Sequence, residues 1–295
     1  MSLPTLVASA AALVASLASF ASSRSASATH TPVQPSRSNA LTVWKQGGSA
    51  FGIFVPSERP ANASDVNGNR LPPLYTEAGA RTLGNNALLD YLFLNLEGSY
   101  DAAAVKAMVT GLSHLPAPTR PTLLVRIPTI EAAGVDSTRA RVKAILSMGA
   151  DGVVIPHVRS AAEARTAAGF FKEAGANVWS RSNPKGTVVA MLMIEDMGAV
   201  AEMNEIAAVP GYSLLSCGIG SLTQNMGGRE KTPEAEAACQ RVRDAAEKSG
   251  MPSMMTANAG TLRDRITRGY KGLLLQGATA QTDSLIRIGR EAVSR

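Results

Sequence analysis

Glu195 and Asp196 stand side by side at the end of the apolar run 188–194, and the same design recurs along the chain. Leu123-Leu124-Val125 ends in Arg126, Leu92-Phe93-Leu94 ends in Asn95 and Glu97, and Val153-Val154-Ile155 ends in Pro156-His157. A charge at the end of a buried run is costly unless it meets a counter-charge, a proton or several hydrogen-bond donors. Glu195 therefore either holds a cation or pairs internally with Arg126. Arg126 forks onto a carboxylate, which is a substrate's or an internal acid's. Glu97 is a base, a ligand or half of a structural ion pair, beside Gly98, where backbone can come close to a ligand. His157 has the pKa for proton transfer near neutrality, or is a satisfied rim histidine. Gly218, Gly220 and Ser221 form a small-residue loop whose amides could hold a carboxylate or phosphate, although a tight turn explains the glycines equally well. Strand alternation turns Asp196 to the other face, as a helix-start or surface acid.

Residues on different strand ends can meet only if those strands run parallel and share a rim. Eight apolar segments qualify as strands: 51–55, 91–96, 122–127, 152–158, 188–195, 212–218, 252–258 and 272–276. Most of the gaps carry amphipathic helical patterns, for example 137–148, 161–174, 199–209, 233–249 and 261–269. Gly149 and Gly175 fall where glycines end helices, and Pro233 falls where proline begins one. Alternating continuous apolar strands and helices imply a parallel sheet, and eight such units favour a closed (β/α)8 TIM barrel over an open sheet. In such a barrel the chemistry sits at the C-terminal rim of the strands. The aperiodic segment 56–76 follows the first strand and so lies at that rim, as a lid or as a surface excursion. Dinucleotide fingerprints, phosphate-binding Gly-Lys-Ser/Thr loops and Cys/His zinc spacing are absent.

The composition narrows the partners. Of 295 residues, 45% are hydrophobic and 18% charged, as in an ordinary globular domain. Aromatics at 4% are too few for base-stacking platforms, and the basic residues behind the net charge of +6 are scattered, so no nucleic-acid partner is expected. A small anionic substrate suits that field. The uncharged Ala/Leu/Val/Ser run 6–21, followed by Ala26-Ser27-Ala28, reads as a cleavable leader over residues 1–28. Its dilute apolarity argues against stable membrane insertion. The leader has no basic residue before its apolar run, and no Asp or Glu precedes Glu58, so an organellar transit peptide rivals export to the periplasm or medium. Residues 29–49 read as a tether leading into the barrel, and 50–295 as the barrel itself. Cys217 lies in an apolar run and Cys239 in a polar helical segment; both are expected to be buried thiols.

With the strands in place, the chain resembles the HpcH/HpaI aldolase/citrate lyase family from about residue 50 to 277. The stretches that carry the resemblance are Leu94-Asn95-Leu96-Glu97-Gly98, Leu124-Val125-Arg126-Ile127-Pro128, Met148-Gly149-Ala150-Asp151-Gly152-Val153-Val154-Ile155-Pro156, Met193-Ile194-Glu195, Glu205-Ile206-Ala207-Ala208-Val209-Pro210-Gly211 and Gly218-Ile219-Gly220-Ser221-Leu222-Thr223. The leader and Asn183-Pro184-Lys185-Gly186 are similar to an exported, divergent branch of it. The resemblance implies a phosphoenolpyruvate/pyruvate-type barrel, usually a homo-oligomer. It implies an aldolase-type carbon–carbon lyase acting on a 2-oxo acid such as a 4-hydroxy-2-oxo acid through a pyruvate enolate, with a divalent metal, Mg²⁺ or Mn²⁺. An acyl-CoA substrate of the citrate-lyase type is a secondary option.

The resemblance places Glu195 on the family's metal-binding Glu and Arg126 on the Arg that holds the keto-acid end. Three positions depart from the pattern. Ser221 stands where the second metal carboxylate is expected, Gly98 where a general-base His follows the Glu, and about Ser147 where an Asp orients that His. A hydroxyl is a poorer ligand for a hard cation than a carboxylate. His157 or Glu97 would then have to move the proton. The alternative is a non-catalytic barrel that binds 2-oxo acids or other carboxylates.

Overall fold

A computed structural model of the chain describes residues 39–293, so the leader and residues 29–38 of the tether lie outside the described residues. The first half comprises α1 (Ala40–Lys45), β1 (Ala50–Phe54), α2 (Glu77–Asn85), β2 (Tyr91–Asn95), α3 (Ala102–Leu112), β3 (Thr122–Arg126), α4 (Ile130–Ala133), α5 (Val135–Met148) and β4 (Gly152–Ile155). The second comprises α6 (Ala161–Glu173), β5 (Val189–Ile194), α7 (Met197–Ala201), α8 (Met203–Ala207), β6 (Leu214–Cys217), α9 (Ile219–Asn225), α10 (Thr232–Lys248), β7 (Ser253–Thr256), α11 (Leu262–Thr267), β8 (Gly272–Leu275) and α12 (Ala280–Val293). The eight strands pair in chain order, all parallel, and β8 closes on β1. The expected (β/α)8 barrel is the fold.

The strands form where the sequence is apolar without interruption, because both faces are covered: barrel interior on one side, helices on the other. Every residue of β5 is buried. Helix α10 buries Ala235, Ala238, Cys239, Val242, Ala245 and Ala246, a stripe at the 3.6-residue period. Gly149 ends α5 in the left-handed region at φ 101°, where its amide bonds back to the last turn. Of the expected helices, 199–209 breaks into α7 and α8. Glu202, at the break, turns its carboxylate to the amide of Ala161, 2.9 Å away at the start of α6. No helix among the described residues is long and apolar enough to cross a membrane.

The N-terminal ends of the strands are tied by a repeated side-chain device. Asp90, just before β2, accepts from the amide of Phe51, the second residue of β1, at 2.7 Å. Asp151, just before β4, accepts from Leu123 of β3 at 2.8 Å, and Ser213, just before β6, accepts from Ala190 of β5 at 2.9 Å. At the fourth equivalent place, before β8, stands Lys271, which has no side-chain acceptor. Helix α1 closes this end from below, with its first amide on the Asp90 carbonyl at 2.9 Å and the Trp44 indole donating to the Lys271 carbonyl at 2.8 Å.

One expectation is overturned. Cys217 and Cys239 are joined in a disulfide, with Cα atoms 5.4 Å apart, and are not two free thiols. Cys217 is the last residue of β6, and the helical period turns Cys239 inward on α10, which packs directly over that strand. The bond closes a loop of 22 residues in sequence, and restricting a loop of that size in the unfolded chain contributes about 3 kcal/mol. Replacing both cysteines by serine should therefore lower the unfolding free energy by about that amount. Urea titration of oxidised wild type and the double variant checks this; equal midpoints would contradict it.

Candidate active site

The rim at the C-terminal ends of β2 to β5 gathers four of the expected residues. Arg126 is the last residue of β3 and is 8% exposed; Glu195 directly follows β5 and is 2% exposed. Glu97 lies two residues beyond β2, and Pro156-His157 directly follows β4. Strand pairing sets their spacing, with Asn95 in register with Arg126 and Ile155 with Leu192.

Arg126 grips both acids. Its Nη1 lies 2.9 Å from Glu97 Oε2 and its Nη2 2.9 Å from Glu97 Oε1, a fork-to-fork pairing. The same Nη2 also donates to Glu195, at 2.8 Å to Oε2 and 3.1 Å to Oε1. Thus the carboxylates that Arg126 meets here are internal ones. His157 contributes twice: its backbone N–H donates to Glu195 Oε2 at 3.2 Å, and its Nε2 lies 3.4 Å from Glu97 Oε1 and from Glu195 Oε2. His157 is the one non-glycine among the described residues with positive φ, at 49°. That conformation costs on the order of 1 kcal/mol and brings amide and ring to the same acid.

Gly218 has a steric reason to be glycine that the sequence reading did not identify. A Cβ there would lie 2.0 Å from Glu195 Oε1, so the carboxylate rests directly on the backbone of this residue. Gly98 and Gly220 face open space, and their glycine character is not required by any contact. Asp196 caps α7 by accepting from Ala199 at 2.8 Å and takes no part in the site, as strand alternation implies.

A cavity of about 520 Å³ opens beside the charged cluster. Arg126, Glu195, Gly218, Gly220 and Ser221 form one part of its wall; Thr256, Asn258, Gln276, Glu236 and Arg265 form another. Glu97 and His157 are not in the wall and meet the cavity through Arg126 and Glu195. The sequence reading missed Thr256, Asn258, Gln276, Glu236 and Arg265. Thr256 and Gln276 obey the strand-end rule that pointed to the other four, whereas Glu236 and Arg265 come from helices and carried no such signal. The segment 56–76 makes its own small hairpin, with Ser64 bridged to Arg70 and Glu58 bound to Thr76 at the start of α2. A larger cleft of about 620 Å³ lies between the Pro210-Gly211 turn and the end of α10; it has no acid or imidazole in its wall.

The profile of the HpcH/HpaI aldolase/citrate lyase family matches residues 81–271. The chain belongs to this family. Among its relatives, the hydroxypyruvate/pyruvate aldolase of Paraburkholderia phytofirmans is 27% identical, over 75% of this chain and 89% of that one. The 4-hydroxy-4-methyl-2-oxoglutarate aldolase of Chaetomium globosum is 30% identical over 57% of this chain and 67% of its own length. The crystal structure of an HpcH/HpaI aldolase from Desulfitobacterium hafniense superimposes with a TM-score of 0.62 at 21% identity, covering 88% of this chain and 97% of that one.

Members of the family are typically metal-dependent, and the cluster fits a divalent ion. Glu97, His157 and Glu195 each offer one ligand atom, and these atoms lie within 4.8 Å of one another. Two carboxylates and an imidazole are a donor set for a divalent cation. The guanidinium of Arg126 is the competing cation, since it already sits on both acids. Ser221 lines the same cavity as Glu195.

Burial holds the Glu97 carboxyl above the ordinary glutamate value; Arg126 pulls it down, Glu195 pushes it up and His157 pulls it down. In the window between the ordinary and the raised value, the folded protein keeps a proton that the unfolded chain has released. The stability contributed by this group therefore falls as pH rises through that window. Carboxyl-carbon NMR of metal-free protein should find Glu97 titrating above the ordinary value, and higher still in Arg126→Met. A midpoint at or below that value in wild type would show that burial does not dominate.

Proposed function

We propose that the chain is an aldolase-type carbon–carbon lyase that cleaves a 4-hydroxy-2-oxo acid to pyruvate and an aldehyde, with a divalent metal. The observation that carries this reading is the joining of Glu97, Arg126, His157 and Glu195 at one rim beside a cavity, in a chain of the aldolase family. Charge counting supports the metal. Two carboxylates against one guanidinium leave the cluster at −1 with His157 neutral, which repels an anionic oxo acid. A divalent ion reverses that sign.

The residues divide the work. Glu195, seated on Gly218, would be the principal metal carboxylate, with Glu97 beside it and Ser221 on the same cavity wall, which leaves His157 for proton transfer. When bound, the metal would supply a Lewis acid for the 2-oxo group. Arg126 turns its charge toward the substrate carboxylate and the developing enolate. His157 Nε2 takes the proton of the C4 hydroxyl as the C3–C4 bond breaks; the bonding pair passes into the pyruvate enolate, and the aldehyde departs. The resulting imidazolium faces Glu97, 3.4 Å away, and a proton returned to C3 completes pyruvate. Gly220 and Ser221, in the first turn of α9, border the place where the substrate carboxylate enters.

The replacement of the family's Asp by Ser221 and of its His by Gly98 supports a second reading, a barrel that binds 2-oxo acids without turning them over. Pyruvate release from a panel of 4-hydroxy-2-oxo acids, with Mn²⁺ or Mg²⁺ and with chelator, separates the two. Metal-dependent release in wild type, with its loss in Glu195→Gln, is expected. Ser221→Asp should bind Mn²⁺ about tenfold more tightly by calorimetry, because it returns a hard anionic ligand to the wall. Pyruvate binding without release supports the binding barrel, and absence of Mn²⁺ binding by both wild type and Ser221→Asp removes the metal.

We also infer that the protein works outside the cytosol, as a homo-oligomer. The Cys217–Cys239 disulfide supports an oxidising compartment, in keeping with the Ala26-Ser27-Ala28 leader motif. Mass spectrometry of native protein should find a new N-terminus near Thr29. An intact Met1 or Ser2 overturns the export route, and a start well beyond Ser38 favours an organelle.

A further inference from the structure

The cavity wall away from the metal ligands has a charge pattern that selects among aldehydes. Arg126 and Arg265 are its two basic residues. Arg265, on α11, is 3% exposed, and both of its terminal nitrogens are held by the two carboxylate oxygens of Glu236 on α10. Its guanidinium also stacks 5.9 Å from the Tyr270 ring, and its Nη1 lies 3.7 Å from Asp264. No net positive charge is therefore left on this wall. Around the ion pair stand the Thr256 hydroxyl, the Gln276 amide and the Ser221 hydroxyl, none bonded to the rest of the described chain. A second carboxylate entering here would be desolvated with no cation to meet it. Hydroxyl groups would find neutral donors and acceptors.

We propose that the aldehyde released or accepted by this site is short, neutral and hydroxylated, and that Glu236 enforces this choice by cancelling the charge of Arg265. The inference rests on the pyruvate-aldolase reading of the same site and names its substrate class. Glu236 acts as a specificity residue: with it, acidic semialdehydes are rejected; without its charge, Arg265 becomes a carboxylate receptor. Thr256 and Gln276 supply hydrogen bonds to the hydroxyls of the preferred aldehyde. A site built to bond a hydroxyl discriminates strongly against partners that leave its polar groups unpaired.

The experiment is aldol addition of pyruvate, with Mn²⁺, to glyceraldehyde, glycolaldehyde, propanal and succinic semialdehyde. Wild type should favour glyceraldehyde over succinic semialdehyde in kcat/KM by at least about tenfold. Glu236→Gln keeps the side-chain volume and should shrink or invert that ratio. Because Glu236→Gln can weaken the fold around Arg265, a second variant is used. Thr256→Val should lower the glyceraldehyde-to-propanal ratio by about tenfold, since propanal has no hydroxyl to lose. Exchange of the pyruvate methyl protons for deuterium, followed by NMR without any aldehyde, reports enolate formation separately. Exchange together with a wild-type preference for succinic semialdehyde overturns this inference alone. So does exchange together with ratios that neither variant moves. Absence of exchange and of addition with any aldehyde overturns the aldolase reading and this inference with it.

Discussion

Arg126 carries its charge to a place where water hardly reaches, and two carboxylates at the ends of β2 and β5 make that position tolerable. A buried guanidinium without partners would cost several kcal/mol, and so would Glu195 alone, at 2% exposure. Together they hold three strand ends, those of β2, β3 and β5, at hydrogen-bond distance from one another. The closed barrel is what brings those ends into range, and the ion cluster fixes how they face. The same constraint makes the site chemically ready. The charges of Arg126 and Glu195 are already largely desolvated, and an arriving cation or oxo acid exchanges partners with groups that water screens little.

Much of this was legible in the sequence because burial on both faces leaves a plain signature. Eight uninterrupted apolar runs named the strands, and polar residues at their ends named Glu97, Arg126, His157 and Glu195. What stayed hidden depends on contacts between elements that no local pattern encodes. Arg126 could equally have met a substrate's carboxylate; only the assembled rim reveals that it holds two internal ones. Gly218 read as a turn glycine, yet its φ of −82° is open to any residue, and the real demand is the Glu195 carboxylate lying on it. The Cys217–Cys239 bond was invisible for a similar reason, since two cysteines say nothing of whether a helix will settle over a particular strand. Glu236 and Arg265 are surface-type residues on helices, drawn into the cavity by the way α10 and α11 pack.

The departures from the family pattern acquire a spatial meaning. No histidine follows Glu97 in the chain, yet an imidazole stands 3.4 Å from that carboxylate, delivered from the end of β4. The left-handed backbone at His157 is the local cost of that delivery. It also places the residue's amide on Glu195, so one distorted residue touches both acids of the site. An imidazole thus reaches the Glu97 carboxylate from a different strand. Ser221 has no comparable stand-in: among the described residues the acid that shares this cavity wall with Glu195 is Glu236, whose charge Arg265 cancels.

The ties at the bottom of the barrel divide the ring in a way that a count of eight strands conceals. Asp90, Asp151 and Ser213 knot the strands into doublets, β1 with β2, β3 with β4 and β5 with β6, each by one side chain reaching the second amide of the strand before it. Lys271 leaves the fourth doublet unknotted, so the ring has a seam between β7 and β8. Thr256 and Gln276 stand at the other end of these same two strands. The charged cluster is thus carried by the knotted doublets, and Thr256 and Gln276 hang from the seam. On the proposed reading, the chemistry and the choice of aldehyde are housed on different parts of one closed sheet.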